Sequence, residues 1–155
     1  MPRKKSLFHL LILIFLMAPS CIIGQVKKPV KWSYAARKLS ECKYELHMTA
    51  TLEKGWHIYS KITPEGGAIP TSFTFIKNPL VTPYGMVKEF GEMETHFEKL
   101  FGVEVKQFSN QVDFVQMVTV KCNVKTNING KVEFVPCNGK ECLMPQENNF
   151  SIAIQ

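Results

Sequence analysis

The chain has 155 residues, about one domain's worth and too short for two ordinary cores. Its composition of 45% hydrophobic, 11% aromatic and 21% charged residues, with 9 Gly and 9 Pro, excludes a disordered, collagen-like or coiled-coil protein. The formal charge of +6 suggests nucleic acid, but Arg3, Lys4 and Lys5 supply three of those charges from a segment expected to be removed, which leaves +3. No basic cluster remains beyond Lys27, Lys28 and Lys31, so nucleic-acid binding is not expected.

The N-terminus has the order of an export signal. Arg3 to Lys5 are basic, Leu7 to Ala18 form an almost unbroken apolar run, and Pro19-Ser20 precede Cys21-Ile22-Ile23-Gly24. As a helix the apolar run is about 18 Å long, short of the roughly 30 Å a spanning helix must cross. The expected division is a signal peptide over residues 1–24 and one domain over residues 25–155. Retention of the segment as a membrane anchor and lipidation at Cys21 are the alternatives. Export carries the chain to a compartment where thiols can be oxidised.

The body then reads as a series of short strands. Val30, Trp32 and Tyr34 suggest the first. From Lys43 the sequence alternates, Tyr44, Leu46, Met48, Ala50 and Leu52 against Lys43, Glu45, His47, Thr49 and Thr51, the period of a half-buried strand. A turn-rich stretch from Thr63 to Pro70 precedes a strand through Thr71, Phe73 and Phe75. Glu89 to Phe101 offers at most a helical turn or two, and Gly91 and Gly102 argue for a loop. Val112, Phe114, Val118 and Val120 share a face that Gln116 interrupts, with Val115 and Met117 opposite, so both faces are expected to be partly covered. Asn129-Gly130 predicts a type I′ hairpin turn, with Lys131 to Phe134 as the returning strand. Phe150, Ile152 and Ile154 end the chain as a last strand. Seven or so strands without helical crossovers predict an all-β fold, an antiparallel sandwich of immunoglobulin-like type.

Removal of the signal leaves Cys42, Cys122, Cys137 and Cys142, an even set with three possible pairings. Cys137 to Cys142 is a C-x4-C carried on a loop between prolines 136 and 145. A bridge there closes a ring of about six residues, worth about 2 kcal/mol in the chain-entropy model, whereas Cys42 to Cys122 closes about 80 residues and gives about 4.5 kcal/mol. The short ring is the poorer staple and the more accessible one, which leaves a structural clip and a reversible redox pair as its two readings. Lys140 favours a neighbouring thiolate and Glu141 opposes it. A zinc site needs four ligands, of which C-x4-C supplies two, and His47, His57 and His96 are scattered, so no metal is expected. Cys42 and Cys122 are either separate buried thiols or a structural disulfide.

Four segments in order, Gly55-Trp56-His57-Ile58-Tyr59-Ser60, Gly67 to Phe73, Phe101-Gly102-Val103-Glu104-Val105 and the C-x4-C loop followed by proline, resemble the N-terminal periplasmic domain of the bacterial thiol:disulfide interchange protein DsbD. The resemblance spans nearly all of the chain after residue 24. It implies an immunoglobulin-like fold with one reversible disulfide, and a protein that relays reducing equivalents without a cofactor. By position it implies that Cys142 is the attacking cysteine and Cys137 the resolving one, with His57 and Tyr59 lining the pair. It further implies a cap loop of Leu100-Phe101-Gly102, in which Phe101 covers the disulfide and Leu100 and Phe97 stand behind it. Its partners are a thioredoxin-like or membrane electron-transporter protein as donor and oxidised periplasmic proteins as acceptors, the chain being a disulfide reductase-like module located in the periplasm.

Two departures accompany the resemblance. Leu143-Met144-Pro145-Gln146 has one proline where the family usually has two in succession, and the chain ends after its last strand, without the membrane and thioredoxin-like domains of full-length members. The competing function from another class is a non-catalytic immunoglobulin-like module that binds a protein partner and holds both cysteine pairs as inert staples.

Overall fold

The computed structural model describes residues 27–64, 66–99 and 102–155. The expected signal segment lies outside them. Within them the chain forms nine strands: β1 (Val30–Ser40), β2 (Lys43–Leu52), β3 (Trp56–Tyr59), β4 (Ser72–Phe75), β5 (Val81–Glu98), β6 (Val103–Val120), β7 (Thr126–Phe134), β8 (Cys137–Asn138) and β9 (Gln146–Ile154). One sheet runs β1-β2-β6-β3-β8, with β5 also paired to β6, and the other runs β4-β7-β9. Every pairing is antiparallel, as the strand pattern and the motif resemblance both predict for an immunoglobulin-like sandwich.

Alternation builds the core. Tyr44, Leu46, Met48, Ala50 and Leu52 of β2 all point inward and are buried, and Val112, Phe114, Val118 and Val120 of β6 meet them together with Ile128, Val132, Phe134, Phe150, Ile152 and Ile154 from the second sheet. Trp32 stands among Phe73, Phe114 and Phe134, with ring centroids 6.0, 5.8 and 5.3 Å away, so aromatic packing joins the two sheets. Gln116, the polar residue on the inward face of β6, is buried and donates through Nε2 to the carbonyls of Tyr84 and Met117 at 3.0 and 2.8 Å. Those bonds keep an amide in the core from being left unpaired.

Two local expectations differ from the structure. Asn129-Gly130 is no hairpin turn: both residues lie inside β7, which runs unbroken from Thr126 to Phe134 and pairs with β9 throughout. Glycine is required there by packing, because a Cβ on Gly130 would fall 2.5 Å from both Phe150 Cζ and the Thr74 carbonyl oxygen. The segment from Glu89 onward is neither helix nor loop but the second half of β5, paired with β6 as far as Glu98. Gly91 marks a register shift in that pairing, where β6 approaches so closely that a Cβ would meet the Gln111 carbonyl oxygen at 2.9 Å.

Cys42 and Cys122 are bridged, with Cα atoms 5.1 Å apart and a sequence separation of 80. The bridge ties the β1–β2 turn to the end of β6, where Val120 N also donates to the Cys42 carbonyl at 2.8 Å. The second bridge, Cys137 to Cys142, joins residues only five apart.

Candidate functional site

The C-x4-C loop is built from its backbone. Cys137 and Asn138 form the short β8, which pairs with β3 so that His57 is the register partner of Cys137 and Trp56 that of Asn138. The chain then turns back on itself, placing Cys142 opposite Cys137 in an isolated antiparallel bridge. Asn138 organises the turn. Its side-chain Oδ1 accepts from the amides of Lys140 and Glu141 at 2.8 and 2.9 Å, and its own amide donates to the Glu141 carbonyl at 2.9 Å. Leu143 N donates to the Pro136 carbonyl at 2.9 Å and closes the base of the loop.

This fixes an asymmetry between the two sulfur-bearing residues. Cys137 is 1% exposed and packs with Tyr59, Val105, Val135 and Ala68 in a small second core, whereas Cys142 is exposed. An incoming thiolate therefore has access from the Cys142 side, and the sulfur it would displace is the buried one.

A groove of about 520 Å³ opens beside the disulfide, with His57, Tyr59, Gln107, His96 and Glu98 among its lining residues. Strand register explains how they meet. His57 and Tyr59 alternate onto one face of β3 and stack edge to face at 5.4 Å. Across β6 they face Ser109 and Gln107, and Gln107 in turn faces Glu94 of β5, to whose carboxylate its Nε2 donates at 3.0 Å. His96 and Glu98 follow Glu94 at the same period.

Burial holds the His57 imidazole below its ordinary pKa, and the nearby His96 acts in the same direction against the opposing charges of Glu94 and Glu98. The ring is thus biased toward its neutral form, in which one nitrogen accepts a proton and the other donates. Burial also pushes the Tyr59 phenol up, with the Glu98 carboxylate adding to the effect.

The structure brings together Cys137, Cys142, His57 and Tyr59. Leu100 and Phe101, the expected cap, lie outside the described residues, and Phe97 is 59% exposed. Cys42 and Cys122 sit at the other end of β6 from this groove. No sequence motif marks Gln107, Ser109 or Glu98: the first two join the site through the register of β6 with β3, and Glu98 lies in the segment where Gly91 and Gly102 argue for a loop. The period of two in Glu94, His96 and Glu98 against Met93, Thr95 and Phe97 is the signal that identifies it as a strand.

No protein-family model matches the chain, and no curated protein is similar to it in sequence. Solved structures are similar in fold. The N-terminal periplasmic domain of ScsB from Proteus mirabilis matches with a TM-score of 0.51 at 14% identity, over 84% of this chain and 49% of that one. The N-terminal domain of DsbD from Neisseria meningitidis, solved in the reduced form, matches with a TM-score of 0.53 at 13% identity, over 81% of this chain and 85% of that one. The chain spans about half the length of the ScsB structure. The fold that the sequence motifs imply is the fold found.

Proposed function

We propose that this chain is an exported thiol-disulfide exchange protein that relays reducing equivalents through a reversible Cys137–Cys142 disulfide. The observation that carries the reading is the pairing of an exposed Cys142 with a buried Cys137, held in a tight loop at a groove lined by an imidazole. The fold likeness to a DsbD N-terminal domain supports it, that domain having been solved in a reduced form.

In the reducing half-reaction a dithiol donor attacks the Cys142 sulfur as a thiolate. The Cys137–Cys142 bond breaks, a bond from the donor sulfur to Cys142 forms, and Cys137 leaves as a thiolate that takes up a proton. The donor's second thiolate then releases Cys142, so one donor disulfide forms for two thiols made here. The delivering half-reaction is the reverse in kind. The Cys142 thiolate attacks a partner disulfide, one partner thiolate leaves, and Cys137 closes on Cys142 to expel the other. Two electrons and two protons pass to the partner. His57, the register partner of Cys137 on the neighbouring strand, is the proposed group that gives and takes the proton at the buried sulfur, and Tyr59 lines its path.

No cofactor enters these steps. The donor class is a thioredoxin-like domain or a membrane electron transporter, the acceptors are oxidised periplasmic proteins, and the site of action is the periplasm. Leu100 and Phe101 are the proposed cap over the disulfide, and the Cys42–Cys122 bridge is the staple that stays closed.

Trapping tests this. A Cys137→Ala variant leaves Cys142 without its resolving partner, and is expected to accumulate mixed disulfides with reducible partners in a periplasmic extract. Cys142→Ala is expected to accumulate none. Equal trapping by both variants, or by neither, contradicts the assignment.

A further inference from the structure

Among the described residues, three contacts of Lys27 reach the surroundings of the redox loop. Its Nζ donates to Glu141 Oε1 at 2.6 Å and stands 6.0 Å from the centroid of the Trp56 ring, while its carbonyl accepts from Gln146 Nε2 at 3.2 Å. Trp56 is the register partner of Asn138 inside the loop, and Gln146 opens β9 just beyond it. Lys27 is thereby tied to β3, the loop and β9 at once.

Glu141 immediately precedes Cys142. A carboxylate beside a thiol disfavours the thiolate, and an ammonium paired with that carboxylate offsets the effect. Glu141 is already held by its backbone, since its amide donates to Asn138 Oδ1 and its carbonyl accepts from Asn138 N. What the backbone does not hold is the side chain, which pairs with Lys27.

We propose that Lys27 is a positioning residue for Cys142: by holding and neutralising the Glu141 carboxylate, it keeps the reduced Cys142 thiol reactive. The inference rests on the exchange reading above and adds Lys27 to the exchange site. The other charged or titratable groups lining the groove are Lys140 on the loop, His57 and Tyr59 on β3, and His96 and Glu98 on β5, none of which a change at Lys27 removes. Lys27 and Glu141 side chains are 60% and 47% exposed, so the effect is modest and screened by salt.

The test is the rate of Cys142 alkylation by iodoacetamide in the reduced full-length mature protein, followed by peptide mass across pH at low and at high ionic strength. Lys27→Met is expected to slow the reaction at neutral pH by about two- to fourfold at low salt and to move its pH profile upward. Lys27→Arg is expected to restore both. In a Glu141→Gln background the Lys27→Met change is expected to have no effect, and salt near 1 M is expected to erase the difference in the parent. An unchanged rate and profile in Lys27→Met overturns the proposal while leaving the exchange reading intact. A Cys137–Cys142 bond that cannot be reduced in the folded parent overturns the exchange reading itself, and the proposal falls with it.

Discussion

His57 and Cys137 are register partners across β3 and β8, so the imidazole stands on the same face of the sheet as the buried cysteine and in the next strand. Its pKa is held down by burial and then by His96. A group that binds its proton less readily when folded makes stability depend on pH. The unfolded chain takes up a proton first as pH falls through about 6.5, so stability present above that value is lost below it, until the folded imidazole also protonates. The urea midpoint is expected to drop between about pH 7.5 and about pH 5, and His57→Gln to flatten that part of the curve. An unaltered pH slope in the variant contradicts the assignment.

The Cys42–Cys122 bridge closes a long loop far from the groove. Replacing both residues with Ser is expected to cost about 2–5 kcal/mol, measured by urea unfolding. Below the unfolding transition, reduction and reoxidation of Cys137–Cys142 are expected to stay as they are. Loss of that reactivity while the fold persists would show that the two bridges are coupled.

Gly130 pits two effects against each other. Alanine in the middle of a strand ordinarily gains about 0.5–1 kcal/mol over glycine by lowering the entropy of the unfolded chain. Here the new Cβ meets Phe150 and the Thr74 carbonyl at 2.5 Å, and overpacking of that kind costs about 1–3 kcal/mol. Packing wins, and Gly130→Ala is expected to lower the urea midpoint with the slope unchanged. A midpoint equal to or above that of the parent contradicts the close approach of β4, β7 and β9.

How much of this the sequence disclosed depends on whether local pattern and tertiary packing agree. In β2 they agree, since each inward residue from Tyr44 to Leu52 is apolar and buried. At Asn129-Gly130 they conflict: turn chemistry favours a hairpin, and only the approach of Phe150 and Thr74 shows why glycine stands inside a strand. In β5 the glycines point to a loop, because the partner that makes Gly91 necessary, the Gln111 carbonyl of β6, is 20 residues away. The site followed the same division. The cysteine pair, His57 and Tyr59 lie in motifs and were legible. Gln107, Glu98 and the contacts of Lys27 depend on strand register and on a pairing across 114 residues, which no local pattern carries.

The most direct measurement is a redox titration of the purified protein in glutathione or dithiothreitol buffers, with each cysteine followed by alkylation and peptide mass. The exchange account predicts a reversible transition of Cys137 and Cys142 well above about −300 mV, the region below which structural disulfides typically lie, while Cys42 and Cys122 stay bridged. A Cys137–Cys142 bond that resists reduction until the fold melts would contradict it and leave a staple in place of a relay.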